Sequence, residues 1–174
     1  MSLWGNDIKP KNLTDAEKKE VYATKQGWVR EAGSVLSGNG NTGADPEVLV
    51  AISNLSANMG AANITEIEFV TTSFDKSDGG NIDVLVRFNE PVTVTGTPRV
   101  SITNGNQGTG TGRGPHLANY LSGSTTNELT FRCTIGAANS ATNADDVLVI
   151  GTNATALNSG TIKDTGEGTV AVIT

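Results

Sequence analysis

The sequence is short of most of what catalysis uses. Its 174 residues include one histidine and one cysteine, and charged side chains make up only 17%. A single cysteine excludes an intramolecular disulfide, so this is not a small domain held by cross-links. Lys and Arg number 12 against 18 Asp and Glu, a net charge of -6. That balance argues against nucleic acid or an anionic membrane as partner, because both need clustered cations. Long apolar runs are missing too: Val48 to Ile52 and Val147 to Ile150 fall far below the roughly 20 residues of a membrane-spanning helix. The opening MSLWGND has no basic stretch followed by an apolar one, so no secretory signal is expected. The N-x-S/T triplets at Asn12, Asn54, Asn63 and Asn153 are then expected from composition rather than glycosylation.

What is abundant is 21 Gly, 23 Thr and 17 Asn. Thr and Val favour strands while Gly and Asn favour turns, which predicts an all-β protein with tight connections. The chain changes character near residue 62. Residues 1–62 hold both tryptophans and a charged stretch, with 6 basic and 7 acidic side chains; residues 63–174 hold 6 and 11. Two modules are predicted, 1–62 and 63–174.

In the second module Ile64 to Thr71 alternates, with Ile67 and Phe69 on one face and Glu66 and Glu68 on the other. Ile82, Val84, Val86 and Phe88 face in, with Asp83 and Arg87 facing out. Further runs follow at 92–94, 99–103, 117–121, 129–135, 147–150, 157–162 and 170–173. Pro91 and Pro98 donate nothing to a ladder, so the run between them is predicted at an edge or bend. Eight or nine closely spaced strands without helical periodicity predict an immunoglobulin-like β-sandwich of two sheets. In the first module Thr14 and Glu17 form a capping-box signal for a short helix through about Thr24. Two strands, 27–31 and 47–52, follow as a hairpin joined by the loop 37–45. A lone hairpin is marginal in water, so this extended module is expected to gain order by packing on something else.

Chemistry-bearing constellations are sparse. The run Gly105 to Gly114 (GNQGTGTGRG) fits no phosphate-loop register and no helix follows it, so it reads as a flexible loop. His116 has no second His or Cys with which to share a metal. Cys133 lies on the inward row Leu129, Phe131, Cys133, Ile135, where a thiol is inert filler. Asp75, Asp78, Asp145, Asp146 and Asp164 match no calcium-loop signature and are expected to be solvated loop acids. Glu66 and Glu68 read as a solvated stripe rather than a glycosidase pair. No metal, cofactor or catalytic set is expected, and the chain is read as a non-enzyme. The large aromatics Trp4, Tyr22 and Trp28 sit in a module with little core of its own. That favours a role as interface anchors over packing on the sandwich.

Two stretches bear a resemblance to known families. Ile82 to Pro98 (IDVLVRFNEPVTVTGTP), Ala118 to Ser124 (ANYLSGS), Asn127 to Arg132 (NELTFR) and Gly160 to Asp164 (GTIKD) resemble the bacterial Ig-like repeats of large surface and adhesin proteins. With the first strand, this covers about two thirds of the chain. Such repeats are spacers and binding modules, not enzymes. Cys133 and the glycine-rich insertion before Pro115 depart from the pattern. The opening Met1 to Asn6, with Lys11 to Thr14, Ala23-Thr24, Gly27-Trp28-Val29 and Glu47 to Ala51, is similar to the amino-terminal module of small virion proteins of T4-like tailed phages, especially cyanophages. This match is the shorter one. Together the resemblances imply a capsid decoration protein on the phage particle surface. Trp4, Gly5, Tyr22, Trp28 and Val29 would anchor it to the major capsid protein or another virion protein, and copies of itself are a further implied partner. The alternative is a tail-attached or host-facing adhesion module binding glycan or a surface protein, with Asn106, Gln107, Arg113 and His116 as loop contacts.

Overall fold

The computed structural model describes residues 13–34, 40–75, 77–104, 114–137 and 147–174. It divides into two compact units, the first running to Gly60 and the second from Ala61 to Thr174.

The first unit opens with helix α1, Asp15–Glu20, capped as its sequence dictates. The Glu17 N–H donates to the Thr14 hydroxyl (3.3 Å), and the Thr14 N–H donates to the Glu17 carboxylate (2.8 Å). The helix stops at Glu20 rather than at Thr24. Val21–Thr24 forms strand β1 instead, its side chains alternating between buried and half-buried. β1 pairs antiparallel with β2, Gly27–Arg30, which pairs with β3, Glu47–Ala51. The short helix α2, Leu55–Asn58, adds Leu55 to the core. Gly27 is required where β2 meets β3: its φ is +129°, and a Cβ there would lie 2.0 Å from the Val50 carbonyl oxygen.

The expectation of a lone two-stranded hairpin is therefore corrected to a three-stranded sheet. Val21, Ala23, Trp28 and Leu55 form a buried cluster, backed by Leu13, Leu49, Val50, Ile52 and Met59. A third strand supplies the apolar face that a two-stranded ribbon lacks, which is the usual threshold for a sheet to hold itself.

The second unit is all-β. Its strands are β4 (Ile64–Phe69), β5 (Gly80–Thr95), β6 (Arg99–Asn104), β7 (His116–Ser122), β8 (Thr126–Ile135), β9 (Leu148–Ala156) and β10 (Thr161–Asp164). They form one antiparallel order, β10-β5-β8-β7-β6-β9, with β4 also paired to β5. Inward side chains from all seven strands belong to a single core around Ile82, Val84, Val86, Phe88, Phe131 and Leu129. A flat sheet cannot bring its two margins to one core, so the sheet curls over itself.

Two expected runs, 82–88 and 92–94, are one strand, because Pro91 sits where no ladder bond is needed. Arg87 faces Glu128 and Val92 faces Thr126, so residues 88–91 bulge out against β8. The expected strand 157–162 begins later, since Asn158 and Ser159 take positive φ in a turn that feeds β10. The expected strand 170–173 contributes only two bridges, Val170 with Lys163 and Val172 with Asn63.

Candidate functional site

The strand directions sort the connections of the second unit by length. β5 and β7 leave one end of the sheet, and β4, β6 and β8 run towards it, as antiparallel pairing requires. β9 also starts there, with Leu148 facing Asn104. The stems are neighbours, with His116 facing Ile102 and Gly80 facing Ile135. The described stems of the three long connections, residues 70–79, 105–115 and 136–147, therefore stand at that end. The opposite end carries the short turns 96–98, 123–125 and 157–160. β4 begins beside Phe88, well down β5, so the chain enters this unit away from the long connections. Long loops on a rigid scaffold are where binding surfaces are built.

The β4–β5 connection is ordered by its own polar groups. The Val70 N–H donates to the Asp83 carbonyl (2.9 Å), and the Asp83 N–H donates to the Thr71 hydroxyl (3.0 Å). The Asp75 carboxylate accepts from the Ser77 N–H (2.7 Å).

Among the residues expected to function, Trp4, Gly5, Asn106, Gln107 and Arg113 lie outside the described residues. Trp28 and Val29 are 3% and 1% exposed, so they hold the first unit together and have almost no area to give a partner. Tyr22 is half-buried on β1. His116 stands at the loop end as the first residue of β7, but it is buried. Asn104, at the end of β6, is buried as well, and among the described residues its side-chain amide has no hydrogen-bond partner. Sequence reasoning missed Asn104, because a polar residue closing a strand looks like the start of a loop. It also missed Val48, an exposed aliphatic residue on β3.

The outer face of the sheet is tied by charge. Arg132 grips Asp83 with two hydrogen bonds of 2.7 Å, from Nε and from an Nη. Those bonds hold the Asp83 carboxyl below its usual range, against a smaller opposing effect of burial. Arg87 contacts Glu128 at 2.6 Å across β5 and β8. Glu66 faces Arg87 from β4 and is half-buried, so it is part of a charged row rather than a freely solvated stripe. Burial pushes the Cys133 thiol above its usual pKa, which keeps it in the poorly nucleophilic thiol form.

Asp164 is a correction to the expected solvated acids. It is 1% exposed, at the end of β10, and its carboxylate accepts the backbone N–H groups of Glu167 and Gly168 (3.1 Å to the latter). It closes a turn from the inside. A neighbouring groove of about 410 Å³ is lined by Thr93, Thr95, Thr161, Lys163 and Thr165. Its hydroxyls bond each other, Thr93 to Thr165 at 3.0 Å and Thr95 to Thr161 at 2.7 Å. Among the described residues no three His, Cys, Asp or Glu side chains gather closely enough to hold a metal ion.

No family model, no curated protein and no solved structure matches the chain. The all-β class is defined by the fold itself.

Proposed function

We propose that this is a non-enzymatic surface protein of a phage particle, attached through its first unit and presenting an immunoglobulin-like second unit outward. The observation that carries the reading is the polarity of the second unit. The chain enters away from the end where all three long connections have their stems, as a tethered display module requires. The sequence resemblances to Ig-like surface repeats and to small virion proteins point the same way. Capsid decoration is the leading form, with the major capsid protein or another virion protein as partner and copies of the chain as neighbours.

Attachment would use the surface of a folded unit, not the folding of a disordered one, since Trp28 and Val29 are consumed by its interior. Half-buried Tyr22 and exposed Val48 are among the described side chains of the first unit with area left to offer. The second reading, a tail-attached or host-facing adhesion module for glycan or a surface protein, is favoured by the clustering of the loop stems. Mass spectrometry of purified particles, with heads separated from tails, discriminates the two. Recovery with heads supports decoration, recovery with tails supports adhesion, and absence from both overturns the particle assignment.

A further inference from the structure

We propose that the outer face of β6 and β7, centred on Arg99, is a docking surface for a protein segment that presents a single carboxylate between apolar side chains. The outer side of the sheet divides into two halves. On β5 and β8 the charges are matched, since Arg132 holds Asp83 and Arg87 contacts Glu128. β6, β7 and β9 contain no Asp, Glu or Lys and a single Arg, Arg99. Among the described residues Arg99 has no ion-pair partner, and its Nε is buried without an acceptor. Strand pairing puts this arginine beside an exposed stripe. β7 alternates, so His116 and Ala118 are buried while Leu117, Asn119 and Leu121 are exposed. Arg99 faces Asn119, which faces Arg132 on its other side. Leu117 and Leu121, 39% and 48% exposed, flank this rung along the strand. The turns at this end, 96–98, 123–125 and 157–160, are all described and contain no acid that could neutralise Arg99.

Charge selects the occupant. A guanidinium offers forked N–H groups that match a carboxylate, and the pair strengthens where flanking apolar groups exclude water. Residues 63–174 carry 6 basic and 11 acidic side chains, so a run of acids is repelled. One carboxylate set among apolar groups meets Arg99 without that penalty, with Leu117 and Leu121 receiving its neighbours. A second copy fits worse, because a two-fold axis through the stripe sets Arg99 against Arg99. A sugar would find no aromatic platform beside the stripe, since Tyr120 packs edge-on against the buried Phe131. The contact belongs to the second unit of the free chain and does not depend on how the first unit attaches.

The test is selection from a displayed library of random peptides on the immobilised full chain, followed by calorimetric titration of the enriched peptides. Enriched peptides are expected to share one Asp or Glu flanked by aliphatic or aromatic residues. Arg99→Gln, and separately the amide in place of the peptide's acid, should each weaken binding by about tenfold. The two changes together should cost little more than either alone, as a direct pair requires. Leu121→Ser should weaken the same peptides with the melting temperature unchanged, and Val170→Ser, on another exposed residue, should leave them bound. A library that yields no binder overturns the proposal, as do enriched peptides without an acid. So does binding that is indifferent to both Arg99→Gln and Leu121→Ser, or sedimentation showing that the stripe is covered by a second copy.

Discussion

Asp83 and Arg132 illustrate how much a single pair can be asked to carry. They face each other across β5 and β8, and the fork geometry is bidentate. Arg132 is more than a third exposed, so solvent screening keeps the pair to about 1 kcal/mol. Because Arg132 lowers the folded carboxyl's pKa, that contribution is complete above the unfolded value near 3.9 and fades as pH falls through the folded one. Asp83→Asn is expected to cost the second unit about 1 kcal/mol at pH 7, with the two urea curves converging towards pH 2; a gap that persists in acid would refute the assignment. Single residues were only partly legible in the sequence. Alternation placed Phe88 and Phe131 inside and Asp83 outside correctly, because period-2 patterning is a local property. It misjudged Asp164, whose burial depends on the turn amides of Glu167 and Gly168, and nothing in the residue type announces that. Trp28 was ambiguous for a related reason: an indole reads the same as an anchor and as a core residue until its neighbours are known.

Elements were legible where one physical signal dominated. The capping box placed the start of α1, but the β-branched, alternating Val21–Thr24 pulled the chain into a strand, and that extra strand converts a weak ribbon into a sheet with a core. Pro91 suggested a break, whereas β5 passes through it by bulging, so two expected strands proved to be one. The tight β7–β8 turn depends on Gly123, with φ +106° and only 2.0 Å from a would-be Cβ to the Glu128 carbonyl oxygen. Gly123→Ala must strain the backbone and push β8 away from β7. It is expected to destabilise the second unit by roughly 2 kcal/mol or more, measurable as a lower denaturant midpoint with unchanged slope.

At the scale of the whole molecule, the division into two units follows the change in composition near residue 62, and the break falls after Gly60. The all-β class followed from Thr, Val, Gly and Asn usage. The polarity of the second unit did not, since it arises from strand directions that only pairing fixes. Each unit has its own apolar cluster, so Trp28→Ala, costing roughly 3–5 kcal/mol, is expected to abolish or sharply lower the calorimetric transition of the first unit. The transition of the second should stay in place; a single transition shifted as a whole would count against independent cores. The C-terminal bridge carries a mechanical corollary. Val172 lies parallel to Asn63, its N–H bonded to the Ala62 carbonyl at 2.7 Å and its own carbonyl bonded by the Ile64 N–H at 3.4 Å. Tension applied between Ala61 and Thr174 pulls these two segments in opposite directions along their length. It loads both bonds together in shear rather than peeling them one by one, so the seam where the unit closes is also where it resists being stretched.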